Sequence, residues 1–329
     1  MGERMPQPQR VSMAQVAALA GVSTQTVSRV ANDSPRVDPA TRERVERAMG
    51  ELGYRPNRAA RALRTGRTQT LGLVAQTLST VGNARMLQAV AEAAASRGYA
   101  LTIFTLGADG DIAAVFDRLH DQGVDGAIVL NEATALARHA SSGGLRLVVI
   151  DSPPDDRFSV VSTDHAVGAR AATERLLNAG HRVVHHLSGP DDSFAAAQRE
   201  RGWRAAIAAA GVEAPPLVRG DWSAASGYAQ TRQVLRSGAV TALFAANDQM
   251  ALGALRAITD AGLRVPQDVA VIGFDDVVDA AQFRPPLTTV RQDFDALGEG
   301  AVQQLIALIE GAPVQDLRLV PELIARESD

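Results

Sequence analysis

Residues 11–32 read VSMAQVAALAGVSTQTVSRVAN, two short helical patterns joined at a glycine. Ser12 and Gln15 have the spacing of a capping box, which predicts that the first helix begins directly after Ser12. Gly21 stands where the C-terminus of a helix often takes a positive φ. Ser23 is then placed to cap a second helix. The stretch therefore predicts a helix-turn-helix.

A third helix follows, with Asp38 as its cap, Pro39 at its first helical position and Gly53 at its end. Together the three helices would make one small unit of about fifty residues. An ordinary helical hairpin explains the glycine and the apolar spacing of the first two helices equally well. The residues expected to form the core are Val16, Leu19, Val22, Val27, Val30, Val45, Met49 and Leu52.

The distribution of charge along the chain favours a DNA-binding helix-turn-helix over an ordinary helical hairpin. Residues 1–67 hold twelve Arg against six Asp and Glu, net +6, and residues 68–329 hold twenty-one Arg against thirty-one, net −10, which together give the −4 of the chain. A basic end on an acidic body is expected when that end alone meets a polyanion such as DNA.

The second helix would present a polar face on the side away from its valines. Arg and Gln suit the edges of guanine and adenine in the major groove. The residues predicted to contact DNA bases are Thr24, Gln25, Ser28 and Arg29.

Residues 54–66, after the third helix, read YRPNRAARALRTG. With this segment the N-terminal part of the chain resembles the DNA-binding headpiece and hinge of the LacI/GalR family of bacterial transcriptional regulators. The resemblance implies a hinge helix that folds on DNA and pairs with its dimer mate, with Leu63 as a wedge between base steps. It also implies Asn57 as the cap of that helix and Arg58 near phosphates. A charged linker helix, with Leu63 packed on the next domain, is the alternative.

Composition excludes several classes of function. The chain has 329 residues and 46% hydrophobic content, enough for more than one domain with a sizeable core. Cys is absent and all 33 basic residues are Arg, which excludes disulfides, thiolate catalysis, Schiff-base chemistry and a Walker-type phosphate loop. No apolar run approaches the ~20 residues of a membrane span, and the N-terminus lacks a secretory pattern, so we expect a cytoplasmic protein.

Short apolar runs alternate with helical patterns from residue 70 onward, which predicts an α/β fold with parallel, doubly wound sheets. The predicted strands are TLGLVAQ (70–76), ALTIFTL (100–106), GAIVLN (126–131), LRLVVID (145–151), VVHHLSG (183–189), ALFAAND (242–248) and VAVIGFDD (269–276). Ligands bind beyond the carboxyl ends of such strands. The polar residues at these ends are Gln76, Asn131, Asp151, Asn247, Asp248, Asp275 and Asp276.

The body also resembles the effector domain of the LacI/GalR family, a two-lobed fold similar to periplasmic sugar-binding proteins. The motifs that carry this resemblance are GDWSAASG (220–227), ANDQMALGALRAIT (246–259), GLRV (262–265) and PPLTTVRQDF (285–294). The family's chain passes between its lobes about three times. The implied organisation is a headpiece at 1–55, a hinge helix and linker at 56–68, lobe one at 69–161 plus 293–320, and lobe two at 162–292 plus 321–329.

The resemblance implies a sugar site between the lobes. Carboxylates, amides and Arg hydrogen-bond sugar hydroxyls, and an aromatic face covers the apolar side of the ring. The implied hydrogen-bonding residues are Asp151, Arg199, Asn247, Asp275 and Gln292, and the implied aromatic contacts are Trp222 and Phe294.

Two further positions in the implied site, Gln76 and Ser162, depart from the family pattern and would shape the pocket around the substituents of the sugar. Gly82 and Asn83 depart as well. Two alternatives stay open: Arg199 lies in RER, which also reads as a solvated charge run, and Trp222 also suits packing at a helix start.

Two clusters suggest other chemistry without supporting it. His181, His185 and His186 resemble a metal set, but two of them alternate along a predicted strand and point to opposite faces. Asp275, Asp276 and Asp279 resemble a cation site, whereas the family resemblance makes the first a sugar ligand. We expect no metal, no cofactor and no assembled nucleophile and base, and hence no enzyme.

The sequence thus predicts a transcriptional repressor of a carbohydrate-utilisation operon that binds a palindromic DNA operator and is controlled by a small sugar, with galactosides among the candidates. No apolar heptads follow the last predicted strand, so we expect a homodimer rather than a tetramer. A sugar-modifying enzyme with a DNA-binding module and a plain sugar-binding protein are the rival classes. The sequence leaves open which sugar is the effector and whether it induces or co-represses. It also leaves open the operator sequence and the operon.

Overall fold

The structure of the protein, a computed structural model, describes residues 11–31, 34–55, 66–107 and 110–329. The chain forms two compact units, Met1–Thr68 and Gln69–Asp329. The predicted hinge residues Asn57, Arg58 and Leu63 lie outside the described residues.

The first unit contains the three predicted helices, α1 (Met13–Ala20), α2 (Thr24–Ala31) and α3 (Pro39–Leu52). Ser12 and Gln15 form the predicted capping box at the start of α1, and Gly21 ends α1 at φ 64°. This αL conformation costs glycine no strain, so the chain turns there into the second helix.

The other predicted caps are also present. The Ser23 hydroxyl accepts a hydrogen bond from Thr26 N at 3.1 Å, and the Asp38 carboxylate accepts one from Thr41 N at 3.1 Å. These bonds satisfy helix-terminal N–H groups that have no partner within the helix.

The core of the first unit is built on Val16, Val27 and Val45, which are fully buried. The prediction that Leu19 joins them is wrong, because this side chain is 50% exposed. Residues advance by about 100° along a helix, and the buried arc of α1 also includes Ala17 and Ala20, which leaves Leu19 outside it.

Lobe one of the second unit is built on a six-stranded sheet in which every pair is parallel. The order of the strands is β11-β5-β4-β3-β1-β2. Their bounds are β1 Thr70–Ala75, β2 Ala100–Thr105, β3 Gly126–Leu130, β4 Leu147–Ile150, β5 Ser159–Thr163 and β11 Leu317–Leu319.

Lobe two is built on a second six-stranded sheet of order β12-β10-β9-β8-β6-β7, parallel except for β12 against β10. The seven predicted strands are all present, divided between the two sheets. The bounds in lobe two are β6 His185–Ser188, β7 Val218–Arg219, β8 Ala242–Ala245, β9 Ala270–Asp275, β10 Thr288–Arg291 and β12 Glu322–Ile324.

Helices cover both faces of each sheet, as parallel strands with apolar residues on both sides require. In lobe one these are α4 (Val81–Ser96), α5 (Ile112–Asp121), α6 (Glu132–Ala137) and α11 (Phe294–Glu310). In lobe two they are α7 (His165–Asn178), α8 (Phe194–Ala209), α9 (Ala224–Ser237) and α10 (Asp248–Asp260), with a short 3₁₀ helix at Ala280–Gln282.

The core of lobe two contains one large aromatic residue on α8. Trp203 is fully buried, and its indole N–H donates to the carbonyl of Val184 at 2.9 Å. Its ring lies 5.6 Å from that of His186, whose Nδ1 is 3.0 Å from the Phe244 carbonyl oxygen. Burial lowers the pKa of His186 to about 4, so this imidazole is neutral at pH 7.

Helices α9 and α10 approach closely because glycines lie at their crossing. A Cβ atom on Gly253 would lie 2.0 Å from the carbonyl oxygen of Ala224, and one on Gly227 would lie 2.2 Å from that of Met250. The two backbones therefore touch without intervening side chains.

The chain passes between the two lobes three times. The passages run from β5 to α7, from β10 to α11 and from β11 to β12. Polar residues at the ends of the parallel strands of both sheets lie beside these passages.

No helix in the described part of the chain is long and apolar enough to cross a membrane.

Candidate functional site

A cleft opens where strand ends of the two lobes face each other. Asn131 follows β3 and Asp151 follows β4 in lobe one, while Asp275 ends β9 and Gln292 follows β10 in lobe two. The residues that line the cleft are Thr80, Gly82, Asn83, Met86, Asn131, Glu132, Asp151, Ala195, Arg199, Trp222, Asn247, Asp275, Gln292 and Phe294.

The cleft brings together seven of the nine residues predicted to bind ligand. Gln76 and Ser162 do not line it. Ser162 is a buried residue within β5, and side chains alternate between the faces of a strand, so Thr163 rather than Ser162 reaches the polar network of the cleft. Beside β1, the lining comes from the first turns of α4 instead of Gln76.

Arg199 is a buried cation at the centre of the cleft, only 4% exposed. Its guanidinium lies 3.9 Å from the ring centroid of Phe274 and 5.4 Å from that of Trp222. It donates to the carbonyl of Ala246, and its Nη2 is 3.4 Å from Asp275 Oδ1. Burial lowers the pKa of Arg199, and the Asp275 carboxylate opposes this shift.

Helix α8 separates the three charges of the RER run. Arg199 points into the lobe, while Glu200 pairs at the surface with Arg204 at 2.8 Å and Arg219 at 2.9 Å, and Arg201 is exposed. Reading Arg199 as part of a solvated charge run is therefore wrong.

Asp275 is a buried carboxylate held from two sides. Gln292 Nε2 donates to Asp275 Oδ1 at 2.6 Å, and Arg199 Nη2 makes a longer contact with the same oxygen at 3.4 Å. Burial raises the pKa of Asp275, and Arg199 and the Gln292 hydrogen bond limit the rise. The carboxylate is thus fixed in orientation before any ligand arrives.

A second carboxylate, Asp151, belongs to the same network through lobe one. It accepts a hydrogen bond from Thr163 N at 3.2 Å, and the Thr163 hydroxyl donates to Gln292 Oε1 at 2.8 Å. His165 Nε2 lies 2.9 Å from Asp151 Oδ1, outside hydrogen-bond geometry, and its Nδ1 lies 3.3 Å from Arg199 Nη2. Polar contacts therefore connect the two lobes beside the first passage of the chain.

Trp222 lies just before α9, and its backbone carbonyl accepts a hydrogen bond from Asn247 Nδ2 at 3.0 Å. Asn247 also caps α10, since its Oδ1 accepts from Met250 N at 2.8 Å. The Trp222 indole N–H crosses the cleft to Glu132 Oε1, at 3.2 Å. Asn247 thus positions the tryptophan, and the tryptophan contacts the opposite lobe.

The backbone is strained at four lining residues. Asn131, Asp151, Trp222 and Asp275 have φ values of 45°, 58°, 70° and 115°. Non-glycine residues rarely take positive φ, and such conformations persist where the surrounding structure enforces them, often at binding sites.

Two other strand-end carboxylates serve the fold rather than the cleft. Asp248 is buried and accepts from Thr289 Oγ1 at 2.6 Å and from Val277 N at 2.9 Å. Burial raises the pKa of Asp248 well above its ordinary value. Asp276 accepts from Arg291 and Arg326.

The sequence-based site did not include Glu132, His165, Met86 or Thr163. Glu132 had a signal, because it directly follows Asn131 at a strand end. His165 and Thr163 had none, because their contacts with Arg199 and Gln292 join residues that lie far apart in the sequence.

Helix α2 presents the predicted DNA-reading face. Thr24, Gln25 and Arg29 are exposed and Ser28 is half-buried, whereas the valines on the opposite side of the helix are buried. The face is therefore accessible for contact.

Two family models match the chain. Residues 12–57 match the model described as bacterial regulatory proteins, lacI family, and residues 173–328 match a periplasmic binding protein-like domain.

Similar proteins extend these matches to nearly the whole chain. The lactose operon repressor of Escherichia coli (strain K12) is 37% identical over 325 residues, covering 97% of this chain and 90% of that protein. The structure of the lac repressor dimer bound to operator and the anti-inducer ONPF has a TM-score of 0.86 at 35% identity, covering 97% of this chain and 99% of that one. A complex of the transcriptional regulator CelR with cellobiose has a TM-score of 0.74 at 38% identity, covering 97% and 100%.

Proposed function

The chain belongs to the lacI family of bacterial regulatory proteins, and from this we propose that it is a DNA-binding repressor of a carbohydrate-utilisation operon. One observation carries the proposal: a single chain holds an exposed polar helix suited to the major groove and a cleft of fixed polar groups suited to a small sugar. The similar lac repressor structure is bound both to an operator and to the anti-inducer ONPF.

The proposed effector is a small sugar bound in the cleft. Arg199, Asp151, Asp275 and Gln292 would pair with hydroxyl groups, because charged and amide groups make strong, directional bonds to them. Trp222 would cover an apolar face of the ring. A galactoside is one candidate, and the cellobiose complex of CelR makes a glucose disaccharide another.

The remaining proposed ligand contacts are Asn247 and Phe294, which line the cleft, and Gln76 and Ser162, which do not. Asn247 holds the Trp222 carbonyl through one N–H of its amide, so it would also act on the sugar through the position of Trp222. Gln76 and Ser162 would influence sugar binding without lining the cleft.

We propose that the exposed face of α2 contacts DNA. Arg29 and Gln25 would bind the edges of bases, and Thr24 and Ser28 would adjust these edge contacts. By family resemblance, Asn57, Arg58 and Leu63 would contact DNA from the hinge. The lac repressor structure is a dimer on its operator, and we propose the same assembly for this chain on a palindromic site.

The effector would act by changing the affinity for the operator. A sugar can do this only if it binds the two states of the repressor with different affinity, and the operator then changes sugar affinity by the same factor. We place the protein in the cytoplasm, where its DNA lies.

An enzymatic role is the rival proposal. Among the described residues, Arg199, Gln292 and Thr163 hold the carboxylates of Asp275 and Asp151, the Trp222 indole contacts that of Glu132, and no nucleophile is paired with a base there. Incubating the protein with sugars and following product formation would expose any turnover.

The direct test is selection of an operator from a random DNA library, followed by gel-shift assays with a panel of sugars. We expect a palindromic site whose binding changes with one sugar class. Arg29→Ala should cost about 1–3 kcal/mol at that site and relax the preference at a defined base. Arg47→Ala, on the exposed side of α3 and paired with Glu43, is the control and should retain the preference. Identical base preferences for Arg29→Ala and wild type would show that α2 does not read the DNA.

A further inference from the structure

The described lining of the cleft contains more acidic than basic side chains. Three carboxylates line it, those of Glu132, Asp151 and Asp275. Among the described lining residues, Arg199 is the one basic side chain. A ligand that enters the cleft therefore meets more negative than positive charge.

The three carboxylates differ in how their charge is compensated. Asp275 has Arg199 and the Gln292 amide, and Asp151 has a backbone N–H with the His165 ring beside it. In the described part of the chain, no basic side chain comes within 4 Å of the Glu132 carboxylate. Its partner is the neutral indole N–H of Trp222. Glu132 is thus the carboxylate whose charge remains available to a ligand.

Glu132 is also placed where its charge must act on the ligand. It stands at the start of α6, directly after the strained Asn131, and is half-buried on the lobe-one side of the cleft. Its hydrogen bond reaches the indole N–H of Trp222 in lobe two, so the carboxylate lies at the edge of the ring whose face would cover the sugar. In such a partly desolvated site, charges interact more strongly than they do in water.

We propose that Glu132 makes the cleft selective for uncharged sugars over anionic ones such as aldonic acids, uronic acids and sugar phosphates. This selectivity rests on the proposed function, namely that a sugar binds in this cleft. The carboxylate accepts hydrogen bonds from the hydroxyls of a neutral sugar, whereas it repels an anionic group that enters beside it. Arg199 attracts the same anion, but it is one cation beside three carboxylates in the described lining.

Glu132→Gln separates the two properties of the side chain. The glutamine Oε1 still accepts from the Trp222 indole, so the contact across the cleft is retained while the charge is removed. Glu132→Ala removes both. Glu92→Gln is the matched control, because it removes the same charge from an exposed position of α4 in the same lobe.

Isothermal titration calorimetry on the full-length protein tests the proposal, with lactose against lactobionate and cellobiose against cellobionate. A third comparison uses the neutral sugar that changes operator binding in the gel-shift panel and the aldonic acid derived from it. For wild type and Glu92→Gln we expect the neutral sugar to bind at least tenfold more tightly than its acid. Glu132→Gln should reduce this ratio about tenfold, because removing the charge favours the acid more than it disfavours the neutral sugar, and Glu132→Ala should weaken neutral sugars further.

The outcomes separate this proposal from the proposed function. If neutral sugars bind but Glu132→Gln keeps the wild-type ratio, or if wild type binds the acids as tightly as the neutral sugars, Glu132 does not set selectivity and the repressor function stands. If no carbohydrate of the panel binds, the sugar-responsive function is wrong and the selectivity falls with it.

Discussion

At the scale of single residues, Arg199 shows how the fold holds a charge out of water. The guanidinium lies against two aromatic faces and is fixed by a carbonyl and a carboxylate, with the His165 ring beside it. Its position is set by the fold before a ligand binds. Arg199 is therefore expected to supply a large share of the sugar affinity.

Replacing Arg199 by Ala should abolish the response to effector while leaving operator binding intact. Hydrogen bonds to charged groups contribute about 1.5–3 kcal/mol, so the sugar should bind roughly 10–100-fold more weakly. The variant should also lose about 3 kcal/mol of stability, because Asp275 is left buried without its cation. Calorimetry with the effector and thermal denaturation measure the two effects.

The control for this variant is Arg204→Ala, five residues further along α8, where the arginine is exposed and pairs with Glu200 at the surface. Such pairs contribute little, so its stability and sugar affinity should stay close to those of wild type. Release of the operator by Arg199→Ala at the wild-type effector concentration would mean that the sugar binds elsewhere.

Residue-level prediction from the sequence succeeded where the strand end itself supplies the side chain, as for Asp151 and Asp275. Ser162 was implied by the family resemblance rather than by a strand end, and it does not line the cleft, because side chains alternate between the two faces of a strand. Glu132 was missed for another reason. It directly follows a polar strand end, but nothing local in the sequence predicts its contact with Trp222 of the other lobe.

At the scale of elements, the crossing of α9 and α10 sets the geometry of one side of the cleft. Trp222 precedes α9, Asn247 caps α10, and the two are joined by a hydrogen bond. The distance between the helices is set by Gly227 and Gly253. The glycines therefore act on the cleft through the helices that carry it.

Gly253→Ala should destabilise the protein by about 3 kcal/mol, at the upper end for an added methyl group, because the new Cβ meets backbone rather than a flexible side chain. It should also weaken sugar binding by moving Trp222 away from Asn247. Denaturant titration measures the first effect and calorimetry the second. Gly82→Ala, in α4 with no atom within 4 Å of the added Cβ, should lose no stability. Equal stability of the two variants would show that the helices can separate at no cost.

Prediction of the elements was most reliable where capping residues mark helix ends, as at Ser12, Asp38 and Gly53. The strands β5 and β10 were not predicted, because they are short and rich in Ser and Thr. In β10, Thr288 and Thr289 are buried and their hydroxyls donate to Asp329 and Asp248. These hydrogen bonds compensate for burying the two hydroxyl groups. Their acceptors lie far away in the sequence, so β-propensity alone does not predict such a strand.

At the scale of the whole molecule, the division of charge separates two kinds of binding. Residues 1–67 carry +6 and residues 68–329 carry −10. DNA affinity depends on releasing counterions from phosphates, whereas hydrogen bonds to a neutral sugar release none. The two activities should therefore respond differently to salt.

Between 50 and 200 mM NaCl, the Kd for the operator should rise at least about tenfold, and by about a thousandfold if six or more phosphates are contacted. The Kd for a neutral sugar should change less than twofold over the same range. Parallel gel-shift and calorimetric titrations of the full chain measure both. Operator binding that is insensitive to salt would show that the basic N-terminal region does not meet the phosphate backbone.

The two tryptophans of the chain occupy opposite surroundings. Trp203 is sealed in the core of lobe two, while the indole of Trp222 borders the cleft beside Glu132 and Arg199. Indole emission depends on the polarity and charge around the ring. The fluorescence of Trp203 should therefore stay constant. The emission wavelength and quantum yield of Trp222 should change when a ligand enters the cleft. The unlabelled protein thus contains its own optical indicator of occupancy.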